Sequence, residues 1–517
     1  MSDIILIHPR YTPWDTTYNH FPLGLLQISS RLDSEAYKIK ILDQRVDPNW
    51  KQALLNGLKS NPICIGITTM IGTQILGGLS ISKLVKENSD SPVVWGGPFP
   101  RMLPHVTIQN KYIDIICEGE GENTFYELVK TLEKNKPLEK VKGIWFKNNG
   151  NIKRNKPRKR VDLNKIPDPP YHLINNPGKY KYTTWFHSPD IPERTANINT
   201  SVGCPYQCTY CYNPTLYPKW KALSAERVVS LIKNLHYKHK FKGFLFMDDN
   251  FFIDQKRVND IMKGIIKEGL DIEMGFQGSR ADIICRMSDE EFELLHKAGA
   301  KWHTVGAESG SPRILKLLKK GVTVNEVYTM NRRVAEYDDM HVLYNFMTGI
   351  PTETTKEMLM TVKMMTKLRK ENPNARIPYI FIFTPWPKTE IFDLAVKHGY
   401  VPPKTLEEWG NVEWNIVGSR RSQFNPRPWI SEEHKRLYKK ILLLQEFIGY
   451  NYKYLKISFL KLLASLYRPI AEKRLEKNFY DFMPEVDVVQ FVIDYLSNRK
   501  RKEGDIIFAG LEEDKSE

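Results

Sequence analysis

Three cysteines fall within eight residues, in the run Cys204-Pro-Tyr-Gln-Cys208-Thr-Tyr-Cys211. Thiolates are soft ligands that suit zinc or iron–sulfur centres. A structural zinc site closes with four protein ligands. No fourth Cys or His lies at finger-like spacing here, and His187 and His236 are distant in the sequence. Three thiolates on one short loop suit instead a [4Fe–4S] cluster with one iron left open. Such an iron can chelate a substrate and deliver an electron to it. The remaining cysteines, Cys64, Cys117 and Cys285, are scattered in apolar surroundings. They read as inert core thiols, so no disulfide framework is expected.

A loop of this kind must be held by regular elements. From about residue 196 apolar runs alternate with helical patterns. Strands are expected at 196–202, 243–247, 272–277, 302–307, 342–347 and 377–383. Helices are expected near 223–238, 256–268, 288–298, 323–337, 354–371 and 389–398. Six β/α units in about 200 residues predict a partial (β/α)6 barrel. Barrels of this kind place chemistry at the C-terminal ends of their strands. Those ends are the cysteine loop, 248–250, 277–280, 308–309, 349–351 and 384–387.

The first 135 residues show a second alternation. Strands are expected at 4–8, 39–43, 63–69, 93–96 and 113–117, with helices between them, which predicts a doubly wound parallel sheet. Ligands bind such sheets beyond the carboxyl ends of the strands. The residues there are Gly66–Met70, Gly96-Gly97-Pro98 and Glu118-Gly119-Glu120-Gly121-Glu122. Glycine at these points lets a backbone approach a bulky ligand. Residues 142–155 read as a hairpin turning at 148–151. The Pro-punctuated stretch after it, with Arg158-Lys159-Arg160, reads as a solvated interdomain linker, with anion binding by the basic run as the alternative.

Four regions result. They are a Rossmann-like domain over 1–140, a hairpin and linker over 141–190, the barrel over 191–399, and a loop and mostly helical region over 400–517. Tyr400–Pro428 has little period and is expected as a loop or lid. Residues 431–480 read as basic amphipathic helix, with eleven Lys and Arg against five Glu. The chain has 517 residues and a net charge of +16. No run interleaves basic and aromatic residues as nucleic-acid modules do, which argues against such a partner. The basic helix fits an ordinary solvated face and also a peripheral membrane contact. No uncharged apolar run reaches spanning length and no basic n-region opens the chain, so a cytoplasmic location is expected.

The cysteine triplet, with Tyr210 before its last Cys, resembles the radical S-adenosylmethionine superfamily, and the resemblance extends over the whole barrel. The strand-2 end, Phe246-Met247-Asp248-Asp249-Asn250-Phe251, stands where that family carries a Gly-Gly-Glu-like motif for the methionine amine. It is similar to the variant in cobalamin-binding members, and makes Asp248 and Asp249 the candidates. Gly306-Ala307-Glu308-Ser309-Gly310-Ser311 resembles the strand-4 region, implying Glu308 and Ser309 near the ribose or methionine. Gly349-Ile350-Pro351 matches the strand-5 motif beside the adenine, and Arg280 a strand-3 position that could pair with a carboxylate. The N-terminal loops resemble the cobalamin-binding domain found ahead of many such barrels. Thr68, Thr69 and Met70 would lie near the lower corrin face. Gly96, Gly97, Pro98, Glu118, Gly119, Glu120 and Gly121 would lie along the corrinoid. The Asp-x-His-x-x-Gly motif that supplies a histidine to cobalt is absent, as is usual in the radical branch.

The resemblance implies three cofactors: a [4Fe–4S] cluster, S-adenosylmethionine and cobalamin. It implies a class B radical methyltransferase. In such enzymes a 5′-deoxyadenosyl radical activates an unactivated carbon, which then receives methyl from methylcobalamin. An oxidative cyclase or ring-rearranging enzyme uses the same two domains and is the alternative. The acceptor is expected to be a small or lipid-like molecule, and the reductant a flavodoxin or ferredoxin. No conventional acid–base pair is expected, because the cofactors carry the chemistry.

Overall fold

The structure is a computed structural model that describes residues 2–10, 20–180, 194–378, 380–412, 427–448 and 458–484. Its N-terminal sheet has seven strands: β1 (Ile4–His8), β2 (Ile39–Asp43), β3 (Cys64–Thr68), β4 (Val93–Gly96), β5 (Ile115–Cys117), β6 (Ile144–Asn148) and β7 (Asn151–Arg154). Their order is β2-β1-β3-β4-β5-β6-β7. The first five are parallel. Helices cover both faces of a parallel sheet, so its strands are apolar throughout. Ile5 and Ile7 join Ile65, Ile67 and Trp95 in one core, while Ile4 and Leu6 join Val94, Ile115 and Phe125 in the other. The order reverses between β1 and β3, the switch point where such sheets hold ligands.

The hairpin forms where its turn residues predict it. Asn149 and Gly150 both take positive φ, 49° and 78°, as a tight two-residue hairpin turn demands. It is not a free-standing part of the linker, however. β6 pairs antiparallel with β5 and extends the sheet.

The second sheet contains β8 (Thr195–Ile198), β11 (Gly243–Phe246), β12 (Glu273–Ser279), β13 (Ala300–Glu308), β14 (His341–Thr348) and β15 (Ala375–Arg376), with β16 (Ile380–Ile382) also paired to β14. All its pairings are parallel. Between β8 and β11 lies a small antiparallel pair, β9 (Ser201–Val202) with β10 (Lys221–Ala222), which brackets the cysteine loop. Helices follow the strands, and several begin at designed caps. Ser288, Thr323 and Thr354 each exchange hydrogen bonds with a glutamate three residues on, satisfying the first orphan N–H groups.

The stretch expected as a loop or lid is partly core. A short helix, Leu406–Gly410, buries Leu406 and Trp409 against the N-terminal sheet's helices, with Trp409 5.8 Å from Phe99. Residues 413–426 lie outside the described residues. The chain divides into two compact units at Ile430/Ser431. The second holds two helices, Glu432–Ile448 and Ser458–Lys477. Among the described residues no helix is long and apolar enough to cross a membrane.

Candidate functional site

The cysteine loop leaves the C-terminal end of β8 through β9 and Gly203. Gly203 has φ 91°, and a Cβ there would lie 2.7 Å from Lys219 O and 2.8 Å from Tyr217 O. Only glycine fits. Its N–H donates to Asp249 Oδ2 at 2.8 Å, which ties the loop to the end of β11. Cys204, Cys208 and Cys211 are free thiols, the middle one buried and the others partly so. Burial raises the Cys204 thiol and pushes Cys211 up to about 12, with neighbouring thiols adding to the effect. Among the described residues no three His, Cys, Asp or Glu side chains are placed to hold one metal ion. A cluster binds each thiolate to a different iron and makes no such demand. Three neighbouring soft sulfurs, none in a disulfide, fit it.

Two contacts grip this loop from within the barrel. The Tyr210 hydroxyl donates to Glu308 Oε1 at 2.7 Å, and Lys320 Nζ donates to the same oxygen at 2.9 Å. Tyr206 lies under the Arg280 guanidinium, 3.5 Å from its ring centroid. Arg280 also donates to Asp282 at 3.0 Å and to the Lys320 carbonyl at 2.7 Å. Lys320 thus serves both grips. Thr209 N–H adds a bond to Leu318 O at 3.0 Å. Glu308 sits at φ 64°, a conformation costly for a non-glycine residue and common at functional sites.

Several expected contacts point elsewhere. Asp248 is buried and accepts from Thr200 Oγ1 at 2.8 Å, Thr200 N and Ser201 Oγ. It braces the turn before the cysteines, leaving Asp249 as the aspartate facing open space. Arg280 is committed to Asp282. Ser309 is turned inward, 3.1 Å from Thr361 Oγ1. Gly349 and Pro351 lie in the loop after β14, whose geometry rests on Glu353. That carboxylate accepts from Gly349 N at 2.6 Å and Thr348 Oγ1 at 2.8 Å. Burial raises its pKa from the ordinary 4.5 to about 7.

A cavity of about 330 Å³ lies between the two sheets' C-terminal ends. From the N-terminal side Thr68, Gly96, Gly97, Pro98, Gly119, Glu120, Gly121 and Glu122 line it, with Gly24 and Gln27 from the helix after β1. From the barrel side come Asn199, Ser201, Tyr212, Tyr217, Met247 and Asp249. A Cβ at Gly24 or Gly119 would meet nothing within 4 Å, and one at Gly96 only Cys117 Cβ at 4.0 Å. These glycines leave room for a bulky ligand, which fits a corrinoid. Thr69 and Met70 do not line the cavity. Thr69 is buried, and Met70 N–H caps onto Gln74 at 2.6 Å. Glu118 is also turned away, bound to Arg154 at 2.8 Å and Trp145 Nε1 at 2.8 Å. Glu120 is held by Lys221 at 2.8 Å and Arg160 at 2.7 Å, which outweigh burial and lower its carboxyl pKa. The linker arginines Arg158 and Arg160 are therefore pinned to the loop and helix that follow β5, not solvated, since Arg158 binds Glu127 and Thr124.

Sequence reasoning gave no role to Lys320, Tyr206, Tyr217, Glu122 or Glu353. Glu122 stood in a quoted glycine loop. Tyr217 lies in an irregular segment that carries no period.

Comparison with known proteins agrees with this architecture. The B12 binding domain model matches residues 15–129 and the Radical SAM superfamily model residues 198–365. An uncharacterized methyltransferase of Pyrococcus horikoshii is 31% identical over 399 residues, covering 76% of this chain and 82% of that one. An anaerobic magnesium-protoporphyrin IX monomethyl ester cyclase of Cereibacter sphaeroides is 24% identical, covering 77% of this chain and 66% of that one. The structure of the cobalamin-dependent S-adenosylmethionine radical enzyme OxsB superposes with a TM-score of 0.69 at 18% identity, covering 96% of this chain and 75% of that one. The chain belongs to the cobalamin-binding radical S-adenosylmethionine family. Family membership assigns it a [4Fe–4S] cluster, S-adenosylmethionine and cobalamin as cofactors.

Proposed function

We propose that this chain is a C-methyltransferase acting on an unactivated carbon of a small or lipid-like acceptor. The observation that carries the reading is the single cavity lined jointly by the glycine loops of the N-terminal sheet and by the barrel mouth. Methyl transfer needs the corrinoid face and the radical to reach one substrate carbon, and a shared cavity provides that juxtaposition. The similarity to a methyltransferase over most of both chains supports it.

In this reading residues 1–140 carry the corrinoid and 191–399 the radical chemistry. Cys204, Cys208 and Cys211 ligate three irons. Asp249, Glu308 and the loop over Gly349–Pro351 face S-adenosylmethionine, and Gly96, Gly97 and Gly119 admit the corrin. The bound cofactors supply the adenosyl radical and the methyl group. The chain's own task is to hold the cysteine loop rigid, orient the acceptor and keep water from the cavity.

The test is anaerobic reconstitution with iron, sulfide and hydroxocobalamin, then turnover with a flavodoxin or ferredoxin reductant. About four irons and one corrinoid per chain are expected. With acceptor, S-adenosylhomocysteine and 5′-deoxyadenosine form together with methylated product. Formation of 5′-deoxyadenosine and an oxidised product without S-adenosylhomocysteine selects the cyclase alternative, for which the cyclase relative is the supporting observation.

A further inference from the structure

The charged residues on the wall of the shared cavity are all of one sign. Glu120, Glu122 and Asp249 line it, and among the described residues no Lys, Arg or His does. Two of these carboxylates are answered within the protein. Glu120 accepts from Arg160, Lys221 and the Val161 N–H, and Asp249 accepts from the Gly203 N–H. Glu122 is not answered. No other residue donates to its carboxyl among the described residues, and its buried Oε2 accepts nothing. The barrel side repeats the pattern. Asn199, in the turn between β8 and β9, lines the same cavity with a buried Oδ1 that accepts nothing. A buried acceptor left without a donor is costly, and here one stands on each side of the cavity. The wall suits a ligand that brings N–H groups.

Glu122 narrows which N–H groups these are. It stands in the first turn of the helix Gly121–Glu133, just after Gly119, one of the glycines that leave room for a bulky ligand. Burial holds its carboxyl above the usual carboxylate range, with the Glu120 charge adding, against its own backbone N–H, Lys221 and Arg101. An ammonium or guanidinium partner would require the ion that burial disfavours. A neutral carboxyl donates one hydrogen bond and accepts another, and a primary carboxamide answers both with its C=O and its NH2. The corrin carries primary carboxamides around its edge. A carboxylate in the same place has no N–H to offer and stands among like charges. We propose that Glu122 binds a carboxamide on the corrin edge and so selects amidated corrinoids over their carboxylate forms. The proposal rests on the reading that this cavity takes a corrinoid.

Corrinoid affinity tests it without any turnover. Hydroxocobalamin and its separated monocarboxylates, each with one edge amide hydrolysed, are equilibrated by dialysis with the cluster-reconstituted full-length chain. Wild type is compared with Glu122→Gln and Glu122→Leu, and iron counts report that each variant is folded. Wild type should bind one monocarboxylate about tenfold or more weaker than hydroxocobalamin, the size of one hydrogen bond to a buried partner. Glu122→Leu should lower hydroxocobalamin to the level of that monocarboxylate while leaving the monocarboxylate's own affinity unchanged, as coupled partners require. Glu122→Gln, which keeps a donor and an acceptor, should hold hydroxocobalamin within about threefold of wild type. A merely structural role for Glu122 would instead make the leucine variant lose every corrinoid by one factor, and that result overturns the proposal. So does a wild-type chain that binds all the monocarboxylates as tightly as hydroxocobalamin. A wild-type chain that takes no corrinoid of any kind overturns the corrinoid reading itself, and the proposal with it.

Discussion

The Tyr210 hydroxyl donates to Oε1 of Glu308 over 2.7 Å, and this bond joins the cysteine loop to the end of β13. Lys320 lies 2.9 Å from the same oxygen and 3.2 Å from the Tyr210 hydroxyl, so the three groups close a buried triangle. Tyr210 precedes Cys211, and burial, with the Glu308 charge beside it adding to the effect, raises its phenol pKa well above 10. The phenol is therefore a fixed donor, and the loop that carries the thiolates is oriented before any cluster binds.

Replacing Lys320 by Met tests this coupling. The Glu308–Lys320 pair is buried, with side-chain exposures of 9% and 8%. Removing one partner of such a pair typically costs about 3–5 kcal/mol, because the other charge stays buried alone. Lys320→Met is expected to lower the thermal midpoint and the iron retained after reconstitution. Tyr210→Phe, which removes the hydroxyl's bonds to Glu308 and Lys320 but leaves their ion pair intact, should cost less, about 1–3 kcal/mol. Thermal melts and iron counts on both variants check the order. Equal losses for the two would show that Lys320 is not the organising charge.

Gly96→Val tests the cavity. The backbone there tolerates a side chain, and the nearest atom to a new Cβ is Cys117 Cβ at 4.0 Å. Fold and iron content should be retained. Hydroxocobalamin affinity should fall by about tenfold or more, the usual penalty for overfilling a packed site. Equilibrium binding of the corrinoid measures it, and undiminished affinity would place the corrinoid elsewhere.

The elements were legible because their signals are local. Five apolar runs in the first 117 residues became β1 to β5 within two residues of their expected ends; in the barrel the four middle strands did the same, while the run expected at 196–202 breaks after Ile198 and the one expected at 377–383 forms a strand only over Ile380–Ile382. The side chains' directions were not legible. Asp248 and Asp249 are neighbours of the same type at the same strand end. Asp248 turns inward because the hydroxyls of Thr200 and Ser201, 48 and 47 residues away in sequence, wait there. Arg280 is spent on Asp282 and on a carbonyl 40 residues away. The hairpin's turn could be read from Asn149 and Gly150, but its docking on β5 depends on an edge that exists only after the sheet forms. Arg101 meets Leu216 across 115 residues of chain, and no local pattern encodes that meeting.

Gly203→Ala probes the entrance to the cysteine loop. Both obstacles to a Cβ, Lys219 O and Tyr217 O, are backbone atoms, so relief requires moving the chain. A strained left-handed residue costs about 1–3 kcal/mol even without that clash. Iron incorporation is expected to fall while corrinoid binding persists, because the glycine loops of the N-terminal sheet are untouched. Parallel iron and corrinoid counts on one preparation decide it, and a proportional loss of both would mean that the two sites fold as one.

Glu353 gives the chain a pH dependence of defined sign. Its carboxyl has a pKa of about 7 against an ordinary 4.5, because burial disfavours the ion more than its hydrogen bonds favour it. The folded state therefore binds more protons than the unfolded state between those values. The stability this group contributes is complete below about pH 4.5 and is lost as pH rises through about 7. The full loss is bounded by about 3–4 kcal/mol, from about 1.4 kcal/mol per unit. Glu353→Gln keeps an acceptor for Gly349 N and Thr348 Oγ1 but cannot ionise. Thermal midpoints of variant and wild type, measured from pH 5 to pH 8, should diverge steadily in favour of the variant. A constant difference across that range would mean that Glu353 ionises normally and that the loop after β14 is more open to water than its burial implies.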